Sequence, residues 1–154
     1  MPEDHNIEYK ISWQDYYLRT ICGFANANGG KLFIGKDDNG KTVDLPNYSR
    51  LMEGLPSKIK NHLGITADVN LIQDNEYYLI EINVPAYSVA IALHGRYYIR
   101  SGSTTIEMTG NSLNDFLLRK SGRTWDDIFE ERASLDDIDE SSLSKFKTAA
   151  YFFK

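Results

Sequence analysis

Apolar residues recur along the 154-residue chain with two different periods, and the changes between them divide it into elements. Residues 6–11, NIEYKI, alternate apolar and polar, as a short half-buried strand does. Ser12 with Asp15 three positions later resembles a capping box. From there Leu18, Ile21, Cys22 and Ala25 recur at helical spacing, and Trp13, Tyr17 and Phe24 widen the stripe. The spacing predicts an amphipathic helix over 13–27, ended by Asn28-Gly29-Gly30. A compact apolar strand over 31–36 comes next, then a turn at Asp38-Asn39-Gly40 and a second short strand over 41–45.

Pro46 opens a second helix over about 48–63, in which Leu51, Leu55, Ile59 and Leu63 share one face and Pro56 introduces a kink. Residues 66–73 and 76–84 alternate and form a hairpin, with Asp74-Asn75 as its turn. A second hairpin is expected to join 89–93 to 97–100 through His94-Gly95-Arg96, and a third helix runs over 110–120 with Leu113, Phe116 and Leu117. The fold class is therefore α+β, with a mixed, largely antiparallel sheet and helices packed on one side.

After Gly122 the composition changes. Residues 123–154 read as an acidic connector and the start of a helical region, with Leu143, Phe146, Ala150 and Phe153 on one face and nothing in view to bury them. The expected organisation is a globular domain over 1–122, with further domains C-terminal to the region given.

Charge sharpens this division. The net charge is -5, but residues 1–123 hold 13 Lys and Arg against 14 Asp and Glu, and residues 124–154 hold 4 against 8. Most of the acidity sits in the tail, so the globular part can present a basic face. A single cysteine, Cys22, excludes an intramolecular disulfide and reads as a buried thiol. The longest uncharged run, residues 82–95, is too short to span a bilayer, so no membrane partner and a cytoplasmic location are expected.

The segment GKDDNGKT over 35–42 satisfies the phosphate-loop pattern G-x-x-x-x-G-K-[ST]. Its context does not. The β-branched Thr42-Val43 and then Pro46 come after it rather than a helix, and Asp37 and Asp38 would stand where phosphates must go. The segment reads as a hairpin turn, and ATP is not expected. His5, His62 and His94 lack metal-ligand spacing, so zinc is not supported. Arg100, beside Ser101-Gly102-Ser103-Thr104, suits contact with backbone phosphates; the alternative is a structural salt bridge. Lys10 beside Glu8 reads either as a paired surface charge or as a phosphate contact.

Four segments, Glu8-Tyr9-Lys10, residues 21–30 (ICGFANANGG), residues 34–40 (IGKDDNG) and residues 97–104 (YYIRSGST), together resemble the Schlafen AlbA-2 domain in order and spacing. The likeness spans about residues 3–120. The tail from Trp125 is similar to the segment C-terminal to this domain in bacterial proteins described as transcriptional regulators or divergent ATP-binding proteins. The resemblance implies an AlbA-like fold and a nucleic-acid-binding module, for DNA or RNA. Phosphate contacts would come from Lys10, Lys31, Lys36, Arg96 and Arg100, with Ser103 and Thr104, and a homodimer would imitate the two-lobed clamp of animal Schlafen proteins. Some family members cleave RNA with three carboxylates. By motif match these fall on Glu3, Glu8 and Asp37 or Asp38, which would hold Mg²⁺ or Mn²⁺ in a metal-dependent endoribonuclease. A third reading is a protein-interaction domain whose larger parent does the chemistry.

Overall fold

The computed structural model describes residues 6–122, so Glu3 and the expected acidic connector and terminal helix lie outside the described residues. Ten elements succeed one another: β1 (Ile7–Lys10), a single 3₁₀ turn (Asp15–Tyr17), α1 (Leu18–Asn26), β2 (Gly30–Ile34), α2 (Tyr48–Leu63), β3 (Asp68–Asp74), β4 (Tyr77–Val84), β5 (Tyr97–Ser101), β6 (Thr104–Met108) and a final helix, α3, over 110–122.

Four strands make one mixed sheet in the order β1-β2-β4-β3, with β1 and β2 parallel and the other pairs antiparallel. The register sets Glu8 beside Leu32 beside Ile82, and Lys10 beside Ile34 beside Ile80. Side chains alternate across the sheet, so these residues share its inner face, while Tyr9, Lys31, Phe33 and Glu81 share the outer one. Leu32, Ile34, Ile80 and Ile82 are fully buried against Leu18, Ile21 and Cys22 of α1 and Leu51, Leu55 and Ile59 of α2. Each such aliphatic side chain contributes about 1.5–3 kcal/mol by leaving water. Helices α1 and α2 therefore cover the inner face.

The i, i+4 repeat of α2 forms as expected, and the helix runs through Pro56, which stands on its exposed side between buried Leu55 and Ile59. The start of α1 differs from expectation. No side chain caps it; the Asp15 carboxylate instead accepts from Trp13 Nε1 at 2.8 Å and from Lys58 Nζ at 2.7 Å, so a 3₁₀ turn precedes the helix. The β3–β4 turn is Asn75-Glu76, one residue later than the sequence suggests, because Asp74 pairs with Tyr77 and Asn75 takes the left-handed conformation at φ 57°.

Two expected strands do not form. Residues 41–45 contribute a single bridge, Thr42 to Lys36, after which Leu45 turns into the core at 2% exposure. Residues 89–92 pair with no strand among the described residues, and only Leu93 bridges to Arg96. β5 pairs forward with β6 instead, Tyr97 opposite Met108 and Ser101 opposite Thr104. The hairpin is displaced one strand along the chain.

Candidate nucleic-acid interface

The motif over 21–30 does architectural work. α1 presses directly on β5: a Cβ at Gly23 would stand 3.2 Å from the Arg100 backbone nitrogen and 3.3 Å from the Ile99 carbonyl carbon. At Gly30 a Cβ would come within 2.4 Å of the Phe24 ring, a distance no side chain can hold. Between these glycines lies Asn26, 3% exposed. Its Nδ2 donates to the carbonyls of Ile91 at 2.8 Å and Tyr98 at 2.7 Å, while its Oδ1 accepts from the Ile91 N–H at 2.8 Å. The amide thus takes the place of a neighbouring strand for Ile91, satisfying both of its backbone groups. That is why residues 89–92 are held without a ladder.

Cys22 belongs to the same seam. Its thiol donates to the Ile91 carbonyl at 3.3 Å, and burial pushes its pKa up to about 11. A thiol so held is a packing residue, not a nucleophile.

A polar knot sits beside this seam. The Arg100 guanidinium, 3% exposed, makes a direct hydrogen-bonded ion pair with Glu8, whose other oxygen lies 3.3 Å from Lys10 Nζ. Arg100 also donates to Thr105 Oγ1 at 3.3 Å and stacks over the Phe24 ring at 5.0 Å. Burial works against the Lys10 ammonium, but the Glu8 carboxylate offsets this by charge and hydrogen bonding, so Lys10 is held above the usual lysine value. The knot ties β1 to β5, and Glu8, Lys10 and Arg100 come together on the inner face.

The remaining expected contacts are dispersed. Lys31 lies on the outer face, 3.4 Å from Glu81. Arg96 pairs with Glu107 at 3.2 Å near the opposite end of the β5–β6 hairpin from Ser103, in its exposed turn, and Thr104, the first residue of β6. Thr104 Oγ1 donates to the Ser101 carbonyl at 3.0 Å. Lys36 alone of the five expected cations has no carboxylate partner among the described residues. It lies over the rings of Phe33, at 4.7 Å, and Tyr9, at 5.6 Å, on the outer face.

The carboxylates expected to hold a metal do not gather among the described residues. Glu8 faces Arg100 and Lys10, and Asp37 Oδ1 accepts the backbone N–H groups of Asn39 and Lys41, both at 2.9 Å. Asp38 is exposed at the turn. No group of three His, Cys, Asp or Glu among the described residues can hold an ion. Glu3, the remaining expected ligand, lies outside the described residues. Asp37 also takes two amides that a phosphate-binding loop would need, and Thr42 Oγ1 donates to Asp74 at 2.6 Å. No helix among the described residues is long and apolar enough to cross a membrane.

Sequence reasoning missed Asn26 and β6. An asparagine at a helix end reads as a terminator, and its partners lie 65 and 72 residues away. For β6 the signal was present in the alternation of Thr104, Ile106 and Met108.

The fold is similar to that of the DIP2311 protein from Corynebacterium diphtheriae, with a TM-score of 0.56 and 16% identity over 68% of this chain and 22% of that one. The chain thus corresponds to under a quarter of the Corynebacterium protein. A second similar structure is the N-terminal domain of a RecG-related protein from Nitrosomonas europaea, at TM-score 0.42 and 24% identity over 53% of this chain and 61% of that one. None of the curated proteins matches the sequence. The family model for Schlafen, AlbA_2 matches residues 3–109, which takes in the knot, the Asn26 seam and the whole sheet, and the chain belongs to that family.

Proposed function

We propose that this domain is a nucleic-acid-binding module, with DNA as the first candidate ligand, serving as the N-terminal part of a larger transcription-regulator-like protein. Family membership supports a nucleic-acid role. The observation that carries the surface assignment is Lys36. It has no carboxylate partner among the described residues, and Phe33 beneath it, half-buried, offers an aromatic edge. Lys31 stands on the same face, its side chain 46% exposed though paired with Glu81. A lysine over a ring meets backbone phosphate while the ring meets a base. In this reading Arg100 and Lys10 position β5 against β1 and do not touch the ligand. A homodimer would set two such faces side by side.

The test is fluorescence anisotropy of the full chain with labelled tRNA, single-stranded DNA and duplex DNA across about 50–200 mM salt. Binding that weakens steeply with salt is expected, and binding that is absent or indifferent to salt removes the reading. The same samples, incubated with Mg²⁺ or Mn²⁺ and run on a denaturing gel, are expected to stay intact. Divalent-dependent cleavage lost on Glu8→Gln would instead make the domain a nuclease.

A further inference from the structure

We infer that a second site, distinct from the outer face, binds a phosphate carried on a nucleoside, in the cleft where the start of α1, the end of α2 and the 93–96 turn meet. The cleft measures about 380 Å³, at the small end of the range for ligand pockets and enough for one nucleotide unit. Arg19, His62, His94 and Arg96 line it. Four side chains from three separate parts of the chain thus bring N–H donors to one cavity.

Its charge is only partly answered from within, by the attraction between Asp15 and His62. The lining holds one carboxylate, Asp15, and that is already engaged by Lys58 at 2.7 Å and Trp13 at 2.8 Å. Those hydrogen bonds, Lys58 first, hold the Asp15 carboxyl below its ordinary value. Arg19 has no carboxylate partner among the described residues; its guanidinium lies over the Tyr98 ring at 5.4 Å. Arg96 pairs with Glu107, but its side chain is 65% exposed, so a phosphate can replace that partner at little cost. A guanidinium offers phosphate two parallel hydrogen bonds, the geometry that favours arginine at such sites.

The turn that carries His94 points the same way. His94 and Gly95 both take positive φ, 53° and 79°, in a two-residue hairpin turn closed by reciprocal Leu93–Arg96 hydrogen bonds of 2.7 and 3.0 Å. Asn or Gly suits the first of these positions better than His does. The turn therefore does not ask for histidine. What the residue adds is an imidazole set edge-on to that of His62, with ring centroids 5.0 Å apart. Tyr16, 57% exposed on the rim, is placed to stack on a base.

The test titrates the ¹⁵N-labelled full chain with adenosine 5′-monophosphate and, separately, with adenosine. The expected result is binding of the monophosphate with amide shifts at 16–19, 62 and 93–98, and at least about tenfold weaker binding of the nucleoside. Arg19→Gln and His94→Asn should each weaken the monophosphate by about tenfold. His94→Asn should at the same time keep or raise the melting temperature, which a merely structural histidine would not allow. Equal affinity for both ligands, shifts elsewhere, or unchanged affinity in both variants overturns the proposal. A 5′-phosphorylated single-stranded oligonucleotide separates the two surfaces. Binding that falls with Lys36→Ala but not with Arg19→Gln sinks the cleft and leaves the outer face. The reverse pattern leaves the cleft and sinks the outer face.

Discussion

The two faces of the central sheet use the same kinds of residue to opposite ends. On the inner side Glu8, Lys10 and Arg100 answer one another's charges beside α1, with Arg100 3% exposed. On the outer side Lys36 lies over Phe33 with no carboxylate partner among the described residues. The partners make the difference. The buried Arg100 charge is answered within the fold by Glu8, whereas Lys36, half-buried like Lys10, lies over aromatic rings and leaves its ammonium to a ligand. The arginine that looks most like a phosphate contact in sequence is thus the one the fold holds most tightly.

Breaking the inner side should have the largest effect. Arg100→Ala leaves Glu8 half-compensated beside α1 and should cost about 3–5 kcal/mol of stability, read from urea denaturation. A loss below about 0.5 kcal/mol, as for an ordinary surface change, would erase the distinction between the faces. Asn26→Ala comes next. It strips the partner from the Ile91 N–H, removes donors to the Ile91 and Tyr98 carbonyls, and leaves the Ile91 carbonyl only the Cys22 thiol, which should cost about 2–4 kcal/mol. Hydrogen exchange should then show earlier opening of residues 89–98 than of β3 and β4.

A smaller effect sharpens the picture of the seam. The Cys22 pKa is raised from an ordinary 9.0 to about 11 in the folded chain, so the folded state holds its proton more tightly. Its contribution is fully present below about pH 9 and is lost as pH rises toward 11, amounting to about 1 kcal/mol at pH 10. Lys10, also raised, adds a loss in the same direction at still higher pH. Denaturation at about pH 7.5 and pH 10 should show a steeper decline for the wild type than for Cys22→Ala. Parallel declines would mean that the thiol is not desolvated by the α1 seam. The smallest effect on stability should come from Lys36→Ala, within about 0.5 kcal/mol.

Much of the fold was legible because it rests on local periods. The Leu51, Leu55, Ile59, Leu63 spacing, the alternation through β4 and the amphipathic α1 are all stated by neighbours in sequence. What was illegible depended on distant partners. The apolar run at 89–93 reads as a strand, yet its ladder is replaced by one side chain far upstream. The β-branched residues 41–45 also read as a strand, but Asp37 closes the turn on its own amides and Leu45 is drawn into the core. The same limit applies to function. Lys36 and Arg100 both read as free cations in sequence, and only the partners that the fold gives them, aromatic rings for one and Glu8 for the other, separate them. His62 and His94 have no motif spacing, and their contact arises from how α2 ends beside the 93–96 turn.

The most direct test compares the two faces in one binding assay. Anisotropy with labelled nucleic acid across a salt series would be run on the wild type, on Lys36→Ala, and on the neutral double variant Glu8→Gln/Arg100→Met. The account predicts that Lys36→Ala weakens binding and flattens the salt slope by about 0.7–0.9, one phosphate contact, while the double variant keeps the slope of the wild type. A slope unchanged by Lys36→Ala and flattened by the double variant would contradict it, placing the phosphate contact on Arg100 after all.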